Sequence, residues 1–87
     1  MTTNGLFRES LSQVSRVHRA EFALSYGIAE RLDAVLTEKG ITQHELARRL
    51  GKRDSEVSKW LTGRHNFTTN TIARIEQAIG ERIITIV

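Results

Sequence analysis

Apolar residues recur at three- and four-residue spacing along most of this chain, and the runs close on glycines. Gly40, Gly51, Gly63 and Gly80 stand where helices end in a left-handed residue. That punctuation predicts four helices. The first covers about residues 21–39, with Ile28, Leu32, Val35 and Leu36 on one face and Ser25-Tyr26-Gly27 as the place where it bends or begins. The second spans residues 43–50 behind Thr42 as N-cap; Glu45 stands at the third position of a capping box, and Leu46, Ala47 and Leu50 form the buried stripe. The third covers residues 54–61, with Val57 and Trp60 inward. The fourth covers residues 70–79 after Thr68 or Thr69, with Ile72, Ile75 and Ile79 as its apolar face. Upstream, Leu11, Val14 and Val17 are at helical spacing, so residues 1–19 are expected as an N-terminal arm or a short fifth helix.

The tail follows another rule. Ile83, Ile84, Thr85, Ile86 and Val87 are β-branched without interruption, which disfavours helix and favours strand. No other segment reads as a strand, and a lone strand leaves its backbone donors and acceptors unpaired. The same tail of a second copy would satisfy them in a two-fold antiparallel ribbon, so Ile83, Ile84, Ile86 and Val87 are the expected dimerisation residues. The alternative is a tail that packs on the fourth helix or frays. The expected fold is therefore all-α, four or five helices in one domain (residues 20–80), with a short C-terminal β-strand at residues 81–87.

Eighty-seven residues allow one small domain with little stability to spare, which leaves room for dimerisation. The chain has no Cys, so thiol chemistry and Cys-based zinc sites are excluded and a reducing compartment fits. The start lacks the pattern of a signal peptide and no apolar run reaches membrane-spanning length, so the expectation is a soluble, cytoplasmic protein. The three histidines, His18, His44 and His65, fall on separate elements, and His18 and His44 read as surface residues rather than ligands. No metal, cofactor or catalytic constellation is expected.

Net charge is +3, and its distribution matters more than its size. Between Thr42 and Asn66 stand six bases (Arg48, Arg49, Lys52, Arg53, Lys59, Arg64) against three acids (Glu45, Asp54, Glu56). The rest of the chain has seven of each sign. A basic window of this kind suits phosphate binding or, equally, a solvated polar face. Within it, only Gly51-Lys52-Arg53 separates the second and third helices, the spacing of a helix-turn-helix. Ala47 is small where the two helices cross, Gly51 ends the first of them, and Val57 plugs the junction.

These residues carry a resemblance. The stretch TQHELARRLGKRDSEVSKWLTG, through Thr42-Gln43, Glu45-Leu46-Ala47, Leu50-Gly51, Val57-Ser58, Trp60 and Gly63, resembles the Cro/CI-type helix-turn-helix family, also called XRE-like regulators. The likeness extends from about Ile28 to Gly80 and implies a compact lambda-repressor-like domain that binds operator DNA, generally as a dimer, and represses transcription. It implies a third helix in the major groove, with Arg53, Asp54, Ser55 and Lys59 as base readers. It further implies phosphate contacts from Gln43, Thr62, Arg64 and His65, to which the charge pattern adds Arg48, Arg49 and Lys52. The sequence departs from the family at Asp54, where Gln or Ser is common, and at Thr62, where Asn is common.

Chemistry leaves two roles open for Asp54. As an acceptor it suits the N4 amino group of cytosine; as a carboxylate in a first helical turn it suits the helix dipole. Glu56 reads as a cap or as the ion-pair partner of Lys52 or Lys59, Arg48 as a partner of Glu45, and Trp60 as core. One alternative function shares the mechanism: an antitoxin, HigA-like, that binds a toxin protein and regulates its own operon through the same helices. The N-terminal helix would then be the partner surface.

Overall fold

The computed structural model describes the backbone of residues 2–87 and the side chains of residues 10–87. Four helices follow one another: α1 (Thr2–Lys39), α2 (Gln43–Leu50), α3 (Asp54–Trp60) and α4 (Thr69–Ile79). The last three match the expected ranges to within a residue. Their ends have the expected chemistry. Thr42 Oγ1 accepts the N–H of Glu45 at 3.0 Å, and Thr68 Oγ1 accepts that of Thr71 at 3.1 Å. Gly51 closes α2 at φ 65°, and its residence in the left-handed region lets the next N–H, that of Lys52, reach Ala47 O at 2.9 Å.

The core is one cluster: Leu32, Val35 and Leu36 of α1, Leu46 and Ala47 of α2, Val57 and Trp60 of α3, and Ile75 and Ile79 of α4. Ile41, Leu50, Leu61, Phe67, Ala78 and Ile83 pack around it, half-buried. Every residue assigned to a buried helical stripe from the spacing lies in this cluster or against it, apart from Ile28, which is half-buried, and Ile72, which is buried on α4. Burying a side chain the size of Leu or Ile contributes roughly 1.5–3 kcal/mol, so these stripes hold the helices together. Trp60 is core, 4% exposed, with Phe67 at 6.3 Å between ring centroids.

Two expectations are corrected. The arm and first helix are one helix of 38 residues, without a bend at Ser25-Tyr26-Gly27. Glycine costs a helix interior about 1 kcal/mol relative to Ala. Here Ser25 and Ala29 are buried on either side of Gly27, and the main-chain ladder continues through it. The second correction is the tail. Among the described residues there is no strand, and residues 81–87 are irregular. A single chain supplies no second strand, and Glu76 takes the place of one: a carboxylate oxygen accepts the N–H of Ile83 at 2.7 Å and of Ile84 at 3.1 Å. These two N–H groups hold the Glu76 carboxyl below the ordinary carboxylate range. Arg31 completes the clasp, donating from Nε and Nη2 to Arg82 O at 3.2 Å and lying 3.8 Å from Glu81. Ile83 therefore packs on its own core, whereas Ile84, Ile86 and Val87 are exposed.

Candidate nucleic-acid interface

α2 packs against α3 and α4. Ala47, 1% exposed, keeps the side chains at the α2–α3 contact small, and Val57, fully buried, closes the junction behind it. The first turn of α2 faces α3 across side chains. Ser58 Oγ donates to Gln43 Oε1 at 3.0 Å. The amide nitrogen of Gln43 keeps both its N–H donors outside that bond. Beside it, His44 Nδ1 lies 3.0 Å from each carboxylate oxygen of Asp54.

Asp54 thus has a partner that neither of its expected roles includes. The residue preceding α3, Arg53, makes no side-chain cap, and the Asp54 carboxylate turns to α2. Its charge still lies in the first turn of α3, together with that of Glu56. Glu56 sits 3.9 Å from Lys52, one of the two ion-pair partners expected for it. Arg53, Ser55 and Lys59 are exposed on the same helix or at its start.

The phosphate candidates divide into two groups. Arg48 and Arg49 both lie on Glu45: Arg48 by Nε at 3.0 Å and Nη2 at 2.7 Å, Arg49 by Nε at 3.1 Å. These bonds from Arg48 and then Arg49 pull the Glu45 carboxyl down to about 2. The capping box is therefore half made: Thr42 caps Glu45, but the Glu45 side chain goes to two guanidinium groups, which compete for it better than one backbone N–H. Arg49 also donates from Nη1 to Ala78 O at 2.9 Å, tying α2 to the end of α4. Thr62 Oγ1 donates to Lys59 O at 2.7 Å and accepts the N–H of Arg64 at 3.2 Å, shaping the loop behind α3. Arg64 is exposed there, and His65 is half-buried with its ring edge-on to Phe67 at 4.8 Å.

Gly63 fixes how that loop approaches α1. It is buried at φ 81°, and a Cβ there would stand 2.8 Å from Tyr26 Cδ2. The structure thus links α2 to α3 by two side-chain pairs, Gln43–Ser58 and His44–Asp54, and Arg53, Ser55, Lys59 and Arg64 are exposed on α3 and its flanking turns. Ile84, Ile86 and Val87 take no part in these pairs. Helix spacing pointed to α2 and α3 but missed His44, whose bond to Asp54, ten residues on, depends on how the two helices are set.

Among the described residues no group of three or more His, Asp and Glu is arranged to hold a metal ion, and no helix is long and apolar enough to cross a membrane. No curated protein and no solved structure matches the chain. A family model described as helix-turn-helix matches residues 32–84, which takes in the C-terminal end of α1 from Leu32, the whole α2–α3 unit, α4 and the start of the tail. That match covers more than half of the chain, and with the α2-turn-α3 geometry it makes the chain a member of the Cro/CI-type, or XRE-like, helix-turn-helix family of DNA-binding transcription regulators.

Proposed function

We propose that the chain is a dimeric cytoplasmic repressor that docks α3 in the major groove of operator DNA. The observation that carries this reading is the Ser58–Gln43 bond. It occupies the amide oxygen of Gln43 and leaves the amide N–H groups for a phosphate oxygen at the position where the family anchors to the backbone. Arg53, Ser55 and Lys59 then reach base edges. Arg and Lys suit guanine O6 and N7, and each good pair supplies on the order of 1–3 kcal/mol of discrimination. Arg48, Lys52, Arg64 and Thr62 flank them toward the phosphates, with Arg49 and His65 in smaller parts because Arg49 is tied to the end of α4 and His65 is half-buried against Phe67.

Dimerisation rests on the tail. Ile84, Ile86 and Val87 expose apolar surface on a segment whose start is clasped by Glu76 and Arg31, which suits pairing with a second tail. Removal of residues 81–87 is expected to halve the molar mass measured in solution; an unchanged mass would remove the ribbon from the proposal.

The test of function is binding to duplex DNA from the chain's own upstream region, footprinted and titrated against salt. With three or four cations on phosphates per protomer, the dimer's log–log salt slope is about −5 to −7. Equal affinity for an unrelated duplex, or affinity indifferent to salt, would refute specific recognition. One observation favours the antitoxin as a second reading: Leu11, Val14, Val17, Phe22, Leu24 and Tyr26 are all exposed on α1. A protein partner would cover them. Co-expression with the product of the adjacent reading frame tests it, the antitoxin requiring a complex that replacement of Leu11, Val14 and Phe22 by Ser disrupts while DNA binding persists.

A further inference from the structure

A carboxylate at the first residue of a recognition helix stands badly toward a polyanion, and Asp54 is 63% exposed there by its side chain. Its neighbour changes what it does. Both Asp54 oxygens accept from one atom, His44 Nδ1, at 3.0 Å. An ionised carboxylate only accepts, so Nδ1 carries a hydrogen. That choice determines the far side of the ring. Nε2 points away from Asp54, and it is an acceptor when the imidazole is neutral and a donor when it is protonated. The His44 side chain is 76% exposed, next to Gln43 in the first turn of α2.

The geometry points to His44 as a duplex-contacting residue that Asp54 positions: the imidazolium donates Nε2–H to an acceptor on the DNA, a phosphate oxygen or the N7/O6 edge of a guanine. The inference rests on α3 entering the major groove. Binding then carries a proton with it. The proton comes from solvent to Nε2, the ring gains a positive charge, and the Asp54 carboxylate stays ionised against the protonated ring. Phosphates nearby favour the charged ring, as any adjacent anion does. The other charged groups beside His44 are committed elsewhere. On α2, Glu45 is held by Arg48 and Arg49; in the turn, Lys52 pairs with Glu56, and Arg53 adds one positive charge. On α3, Asp54 is the anion in contact with the ring.

This assignment reverses a simple electrostatic expectation. If Asp54 merely repelled DNA, Asp54→Ala would tighten binding. As the residue that aims His44, its loss weakens binding at low pH and flattens the pH profile.

The experiment is a titration of the chain's own promoter duplex from pH 5.5 to 8.5 at constant ionic strength, with the wild-type chain, His44→Gln and Asp54→Ala. For each protomer, uptake of a full proton changes affinity by about tenfold per pH unit. Wild-type affinity is expected to fall by at least severalfold across the range. His44→Gln is expected to be nearly flat, which separates His44 from His18 and His65. Loss in His44→Gln that is uniform over operator variants places the contact on phosphate; loss confined to variants retaining one guanine places it on that base. A pH profile unchanged in His44→Gln, or tighter binding by Asp54→Ala at pH 6, overturns the inference. A wild-type chain that binds no promoter duplex at any pH overturns the DNA reading itself. Melting of each variant, followed by the fluorescence of Trp60, confirms that the compared proteins are folded.

Discussion

Gly63→Ala offers a sharp test of how the recognition unit is seated on α1. Two costs are visible in the structure. The first is conformational: at φ 81° an L-residue with a Cβ loses about 1–2 kcal/mol. The second is steric: the new methyl would stand 2.8 Å from Tyr26 Cδ2 and 3.4 Å from Tyr26 Cα. The ring can turn away only by leaving its stack on Phe22, at 6.2 Å and 15°, while the Cα belongs to the α1 backbone. Overpacking of this kind costs about 1–3 kcal/mol, so the sum is about 2–5 kcal/mol. In a domain of this size each kcal/mol lowers the melting midpoint by about 4–8 °C, giving a fall of at least ~8 °C. The sequence has one Trp, and Trp60 is buried in the core, so its fluorescence reports unfolding of this unit directly. A double-mutant cycle with Tyr26→Ala separates the two costs. In that background Gly63→Ala should lose only its conformational part, about 1–2 kcal/mol. A single variant within about 0.5 kcal/mol of wild type, the range of an ordinary surface change, would refute both parts. Equal costs in the two backgrounds would refute the contact alone.

Three further outcomes are expected. Leu46→Ala empties a fully buried site between the helices and should cost about 2–5 kcal/mol, read as a lower urea midpoint with an unchanged slope. Glu45, with its folded carboxyl held at about 2 by Arg48 and Arg49, contributes stability that is complete above the ordinary carboxylate value of 4.5 and lost as pH falls toward 2. Glu45→Gln should therefore flatten the acid limb of a stability–pH curve, and an unaltered limb would remove the network from that account. Glu76→Gln should speed hydrogen exchange at the Ile83 and Ile84 amides while leaving the α2 amides unaffected; unchanged exchange at both would show that Glu76 does not clasp the tail.

Most of the helical domain was legible because its signals are local. Thr42 and Thr68 cap, Gly51 and Gly80 terminate, and the stripes of Leu46, Val57, Trp60 and Ile75 repeat at helical spacing, so boundaries and core emerged together. The bend at Gly27 was misread because propensity sees one glycine, whereas the helix is held by buried Ser25 and Ala29 around it. The irregular course of the tail was not legible because β-branching describes a preference, and within one chain these amides meet a carboxylate rather than a neighbouring strand. The candidate site was half legible. Spacing identified which helix presents Asp54, Ser55 and Lys59. It does not encode the bonds of Asp54 to His44 or Arg49 to Ala78, since each depends on the relative placement of two helices.

The length of α1 has a consequence for any measurement of folding. From Ser10 to Leu24 every residue is exposed, and among the described side chains the first buried one is Ser25. A free helix of about fifteen residues is marginal in water, since starting the first turn is the unfavourable step. Here the packed half, Ser25 to Lys39, has already made that start, and the outer half needs only to propagate from it. Its helix therefore grows and shortens from the outer end without involving the core. On heating, ellipticity at 222 nm should decline gradually before Trp60 reports a cooperative transition. Two probes would then give two midpoints for one chain, and a partner gripping the outer half would bring them into coincidence.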